Sequence, residues 1–216
     1  MGSRGSGTRR EGGGGGLNPA NIVNERDMVS MVAEGDIRRE AKEVLSVSDA
    51  LIREYGDDVQ IYTFNVAELK GKDAYSVMAY YDGANIAINK NYFDANHMEE
   101  AYANTVRQGF HPSNGNKTAM EAVAAHEYGH ALTDFAAKQM GAGDLHSAAD
   151  RIVKEARRAT SHKGVVQMAK AISGYATHSN AEAVAEAVAD VYCNGSRAKA
   201  ESRAIVNTLN NYLKRR

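Results

Sequence analysis

The sequence predicts an α+β fold, with a small N-terminal mixed sheet followed by a mainly helical C-terminal half. Three observations carry that expectation. Strand-like alternation and hairpin turn residues are confined to residues 59–88. From Met98 onward, apolar residues recur at helical spacing and the runs are separated by cap residues. The strands therefore come first and the helices afterwards, instead of alternating along the chain.

Each element follows from local chemistry. Residues 1–16 hold Met-Gly-Ser-Arg-Gly-Ser-Gly-Thr-Arg-Arg-Glu and then five glycines, so residues 1–19 are expected to be a flexible, dispensable arm. One domain should occupy residues 20–216. Asp36–Tyr55 carries Ile37, Ala41, Val44, Leu45, Leu51, Ile52 and Tyr55 at helical spacing, and Gly56 ends it. Val59–Phe64 alternates and is rich in strand formers. Tyr75–Tyr81, the Asp82-Gly83 turn and Ala84–Ile88 predict a hairpin. Met98–Gln108 predicts a helix that stops at Gly109, and residues 109–116 a loop. Thr118-Ala119-Met120-Glu121 is a capping box opening a helix that reaches about Met140, where Gly141 and Gly143 end it. Helices are expected at Ser147–Thr160, Gly164–Ile172, Asn180–Cys193 with Asn180 as N-cap, and Ala198–Tyr212.

Composition narrows the function classes. The 216 residues are 43% hydrophobic and 25% charged, ordinary for a globular chain that buries a sizeable core. With 26 Lys and Arg against 27 Asp and Glu, the net charge of -1 points to neither nucleic acid nor a membrane as partner. Cys193 is the only cysteine, so a disulfide within the chain and a cysteine-ligated zinc ribbon are both excluded. No transmembrane run or ordinary secretory signal is found, which predicts a cytoplasmic or particle-associated (virion) location.

The chemistry concentrates at His126-Glu127-Tyr128-Gly129-His130, an H-E-x-x-H pattern inside an apolar helix. One helical turn separates the histidines, so both imidazoles lie on one face and can hold one Zn²⁺. Glu127 then projects toward the water completing the metal's shell. Two histidines at this spacing could also be plain core residues, and what separates the two cases is a third ligand. Ala136 stands where the metzincin pattern would have a histidine, so the ligand must come from another element. Glu182, Glu186 and Asp190 are each four apart on one face of an Ala- and Val-rich helix. Carboxylates on so apolar a helix need partners, and a dication with its histidines would supply them. His178 is a further candidate donor nearby. His111 lies in the loop before the site helix and could line a substrate cleft, although a satisfied surface histidine is the first expectation; for His97, His146 and His162 the sequence alone names no partner.

The run His-Glu-Tyr-Gly-His-Ala-Leu-Thr-Asp-Phe, followed about fifty residues later by Ser-Gly-Tyr-Ala-Thr-His-Ser-Asn-Ala-Glu-Ala-Val-Ala-Glu-Ala, resembles the catalytic domain of anthrax lethal factor-like zinc metallopeptidases. Related zincin domains occur in toxins and in bacteriophage or mobile-element proteins. The resemblance covers roughly residues 109–193. It implies a gluzincin-type, zincin-like fold and hydrolysis of peptide bonds in a protein substrate. It also implies His126, His130 and Glu182 as zinc ligands, Glu186 as an outer carboxylate, Glu127 as general base and Tyr175 as oxyanion donor. The glycine-rich start and Gly-Phe-His-Pro are similar to phage minor-capsid-associated chains, which implies a virion or secretion-machinery partner for the arm. Two alternatives share these residues: a toxin effector protease, and a structural protein of a phage or conjugative machine that keeps the fold for zinc binding. An intact Glu127 favours activity, because holding zinc does not require the base.

Overall fold

The computed structural model describes residues 22–24, 32–33, 36–56 and 63–213. The glycine-rich arm, the basic tail at 214–216 and positions 59–62 of the expected first strand lie outside the described residues. The architecture is α+β and mostly helical, with the sheet toward the N-terminal side.

In chain order the elements begin with β1 (Ile22–Asn24), β2 (Val32–Ala33), β3 (Asp36–Ile37), α1 (Arg39–Tyr55), β4 (Thr63–Leu69), α2 (Asp73–Ser76), β5 (Ala79–Tyr81) and β6 (Asn85–Asn89). The helical half follows as α3 (Ala95–Arg107), α4 (Ala119–Met140), α5 (Leu145–Arg157), α6 (Val165–Ile172), α7 (Asn180–Asn194) and α8 (Ala200–Leu213). Among the described residues no helix is long and apolar enough to cross a membrane.

The main sheet runs β1-β4-β6-β5 and is mixed. β4 lies parallel to β6, with Phe64 opposite Ile86 and Val66 opposite Ile88. β5 closes the far edge antiparallel to β6, Tyr81 opposite Ile86. Alternation sends Phe64, Val66, Ile86 and Ile88 into the main core with α1 and α4, and Ala67, Leu69, Tyr80 and Ala87 into a smaller cluster on the other face.

Three expectations are corrected here. The first helix starts at Arg39, because Asp36–Ile37 pairs with Val32–Ala33 as a small β2–β3 hairpin. The first long strand extends to Leu69, well past Phe64, because β4 is buried on both faces and lacks a polar side to mark its end. The hairpin arm starts at Ala79 and not at Tyr75, since Asp73–Ser76 forms a short helix. The buried Asn89 amide fixes that turn by donating to the carbonyls of Ala74 (3.0 Å) and Val77 (2.7 Å). The Asp82-Gly83 turn is as expected, with Asp82 Oδ1 accepting from the Asn85 N–H at 2.7 Å and Gly83 at φ 98°.

α4 positions the site. Its 22 residues pass through the molecular centre, packed by α7, α5, α1, α8, α3 and β5. Residues 119–133 are almost all buried on every side, so this helix is stabilised by tertiary packing more than by propensity. The capping box is complete: the Glu121 N–H donates to Thr118 Oγ1, and the Thr118 N–H donates to Glu121 Oε2 at 2.9 Å. Glu99 of α3 accepts a further free amide, Ala119 N–H, at 2.7 Å. Gly141 ends the helix in the left-handed region.

Candidate metal centre

α4 and α7 meet where both are small. A Cβ built on Gly129 would stand 2.6 Å from Ala185 Cα and 3.2 Å from Val188 Cβ, so only glycine allows this approach. Three residues before Ala185, Glu182 comes off α7 directly onto the histidine face of α4. Gly129→Ala gains about 1 kcal/mol of helix propensity. The collision with the Ala185 backbone costs about 1–3 kcal/mol of overpacking and should outweigh that gain. The expected result is a lower melting temperature together with weaker metal binding, read by thermal denaturation with and without added metal.

His126, His130 and Glu182 form a buried group whose ligand atoms all lie within 4.8 Å of one another. Glu182 Oε2 is 3.1 Å from His126 Nε2 and 3.4 Å from His130 Nε2. These approaches lack hydrogen-bond alignment, and all three atoms are buried without a hydrogen-bond partner. Each orphaned polar atom costs about 1–3 kcal/mol. Donors 2.0–2.2 Å from a tetrahedral ion stand about 3.4 Å apart, close to both spacings seen. The donor set and its unmet desolvation therefore fit a metal ion.

Glu186, one turn beyond Glu182, is buried but fully engaged. Its Oε1 lies 2.9 Å from His126 Nδ1 and 2.9 Å from His111 Nδ1, and its Oε2 accepts from Ser173 Oγ at 2.6 Å. Burial pushes the Glu186 carboxyl up, but His111 and His126 outweigh it and hold it down at about 2. The carboxylate thus accepts from His126 Nδ1–H, which leaves the Nε2 lone pair for the centre. Burial pushes Glu182 up too, and the two imidazoles beside it bring it well below the usual carboxylate range. Burial lowers His126, yet Glu182 and Glu186 at its two nitrogens hold it well above the usual value, so proton and cation compete for Nε2. Glu182→Gln should therefore remove most metal binding. Glu186→Gln should weaken it by about 10- to 100-fold as an outer-sphere change. Isothermal titration of both variants checks this, and a larger loss at Glu186 would reverse the two assignments.

Glu127 lies between this group and the sheet edge, near enough for His126, His130 and Glu182 to act on its charge. The Tyr81 N–H of β5 donates to its carboxyl, while Oε2 is buried and has no partner. Burial raises its pKa, partly countered by His126 and His130. A carboxylate made more basic in this way suits proton transfer.

Tyr175 sits in a single turn of 3-10 helix (Tyr175–Thr177) before α7, its ring 5.7 Å from that of His126. The turn is pinned to the loop before α4: Gly174 N–H donates to Gly109 O at 2.8 Å, and Tyr175 N–H to Phe110 O at 2.9 Å.

The other sequence candidates fall elsewhere. His178 is exposed, its Nδ1 3.0 Å from the Tyr175 carbonyl oxygen, and does not join the group. Asp190 caps the start of α8, accepting from Lys199 N–H at 2.9 Å. Ser179 and not Asn180 is the N-cap of α7, since its Oγ accepts from Glu182 N–H at 3.1 Å while Asn180 reaches across to Asp150. Two of the histidines for which the sequence names no partner have one: His162 pairs with Glu201 at 2.8 Å, and His97 stacks on Tyr92 at 5.2 Å. His111 takes the cleft position and not the surface one, and its partners are what the sequence missed. It binds Glu186, stacks on Tyr102 at 5.5 Å and lies 5.1 Å from the Tyr175 ring.

A cavity of about 80 Å³ opens beside His126, Glu127, Tyr175 and Glu186. Any chemistry at the buried group thus has an approach from one side. Comparison with protein-family models, with curated proteins and with solved structures gives no match.

Proposed function

We propose that this chain is a zinc-dependent endopeptidase of the lethal factor-like, gluzincin kind, with a protein or peptide as substrate. The observation that carries the proposal is the convergence of three orphaned donors, His126 Nε2, His130 Nε2 and Glu182 Oε2, beside the unpartnered oxygen of Glu127. Two imidazoles and one carboxylate form a donor set suited to zinc with one position open. The chemistry zinc supplies when bound is Lewis acidity, which polarises a carbonyl and makes a water acidic near neutral pH.

The remaining steps belong to the chain. Glu127 takes the proton from the attacking water and delivers it to the leaving amine, since one carboxylate can serve as base and then acid. Its raised basicity and its oxygen left free of hydrogen bonds support that role. Tyr175, on the wall beside His126, donates to the oxygen that gains charge in the transition state. Glu186 keeps His126 in the tautomer that presents Nε2. Mere storage of zinc would need neither a buried, unpaired Glu127 oxygen nor an open cavity against it.

The proposal is tested by incubating zinc-loaded full-length protein with a proteome-derived peptide library and sequencing the new termini. Tyr175→Phe should cut the same bonds with kcat lowered by about 100-fold and KM little changed, because its hydroxyl acts mainly in the transition state. A variant with wild-type kcat would remove Tyr175 from the mechanism.

A further inference from the structure

We propose that His111 is a positioning residue of the metal centre: it clamps Glu186, and through that carboxylate it fixes which nitrogen His126 turns to the metal. The inference rests on the metal-binding part of the reading above and not on peptide hydrolysis.

Local rules deliver His111 to this spot. Gly109 ends α3 at φ 68°, and the Phe110 N–H donates back to the Thr105 carbonyl at 2.8 Å. Pro112 disfavours helical backbone at His111, so the helix does not resume there. The imidazole is then held by three rings. It stacks on Tyr102 at 5.5 Å and 13°, and stands edge-on to Phe110 and Tyr175, each at 5.1 Å. Tyr102 is itself fixed, its hydroxyl donating to the Pro112 carbonyl at 3.1 Å.

Nδ1 of the ring so held lies 2.9 Å from Glu186 Oε1, the same oxygen and the same distance as His126 Nδ1. Ser173 Oγ donates to the other oxygen at 2.6 Å. An ionised carboxylate only accepts, so both imidazoles carry a proton on Nδ1. With His111 in place, Glu186 is held at both oxygens and cannot turn away from His126. Ser173 does not replace it, because it holds Oε2 alone. Glu186 is 1% exposed, so water does not make good a lost bond there. Without His111 the carboxylate gains freedom to rotate, and His126 loses the fixed acceptor that orients its ring and strengthens it as a ligand.

Two substitutions separate the hydrogen bond from the packing. His111→Phe keeps a ring to stack on Tyr102 and loses the donor. His111→Asn loses the ring and carries an N–H donor near the position of Nδ1. Zinc affinity of the full-length chain is read by competition with a chromophoric chelator. His111→Phe should weaken binding about 10-fold, the lower end of the range for groups behind a metal ligand. His111→Asn should recover most of that loss, whereas a role in packing alone gives the reverse order. In a Glu186→Ala background, His111→Phe should change the affinity little, because the route through the carboxylate is gone. Proton NMR of the zinc-loaded chain gives a second readout. The Nδ1 protons of His111 and His126 should both resonate downfield, and His111→Phe should remove the first and shift the second. Zinc held as tightly by His111→Phe as by the wild type, or no tighter by His111→Asn than by His111→Phe, overturns the proposal. So does an undiminished effect in Glu186→Ala, or a His126 proton unmoved by His111→Phe. The expected order of affinities in a chain that cuts no peptide supports the clamp, and the peptidase reading then fails by itself.

Discussion

His126→Ala should bind zinc at well below one equivalent per chain and lose the thermal stabilisation that zinc gives the wild type. The imidazole serves two carboxylates at once, Glu182 at 3.1 Å from Nε2 and Glu186 at 2.9 Å from Nδ1. Removing it deletes a ligand and leaves two buried acids facing each other. Breaking a buried ion pair from one side costs about 3–5 kcal/mol. In the wild type, zinc at a hundred times its dissociation constant adds about 2.7 kcal/mol to stability. For a domain of this length that corresponds to a rise in melting temperature of roughly 5–10 °C. The variant should melt lower without metal and show almost no rise with it. Metal analysis and paired melting curves report both effects, and full zinc occupancy in His126→Ala would remove this residue from the centre.

Glu127→Gln should keep both zinc and fold yet lose about 10²- to 10⁴-fold in kcat. The amide has nearly the shape of the carboxylate, so it can still accept from the Tyr81 N–H. It cannot take a proton. Its neutrality also relieves a buried charge, so stability should hold or rise slightly. Melting temperature, zinc content and turnover measured on one preparation separate these effects. Cleavage by Glu127→Gln at the wild-type rate would assign the activity to a contaminant or to another group.

The parts of the site legible in the sequence are those fixed by short-range rules. The capping box at Thr118 and Glu121 and the one-turn spacing of His126 and His130 both depend on contacts within four residues. The shared face of Glu182 and Glu186 has the same origin, and the two carboxylates then part company in space: Glu182 meets the Nε2 atoms, Glu186 the Nδ1 atoms. His111 was not legible, because its bond to Glu186 spans 75 residues. The one local hint was its place among Phe110 and the loop just ahead of the site helix. Gly129 could have been read further. A glycine in the middle of a helix costs about 1 kcal/mol against alanine, so it signals a close approach. That approach is to Ala185.

The fold divides along the same line. Helices from Ala95 onward start or end within a few residues of where caps and periodicity put them, apart from the exchange of Ser179 for Asn180 as a cap. The sheet was less legible. Phe64 and Val66 face one side of β4, Ala67 and Leu69 the other, and all four are buried, so no polar alternation marks the strand. Its parallel partner β6 lies beyond a short helix and β5. The short helix at Asp73–Ser76 depends on the side chain of Asn89, 12 residues beyond the Val77 carbonyl it binds.

The central claim is that one zinc, held by His126, His130 and Glu182, enables this chain to hydrolyse peptide bonds. The most direct test is to add zinc stepwise to chelator-stripped wild-type protein and follow hydrolysis of a peptide library against bound metal. The account predicts no hydrolysis at the start, a rate rising in proportion to bound zinc, and a plateau at one equivalent. Hydrolysis before zinc is added, or one tightly bound equivalent with no peptide cut, would contradict it.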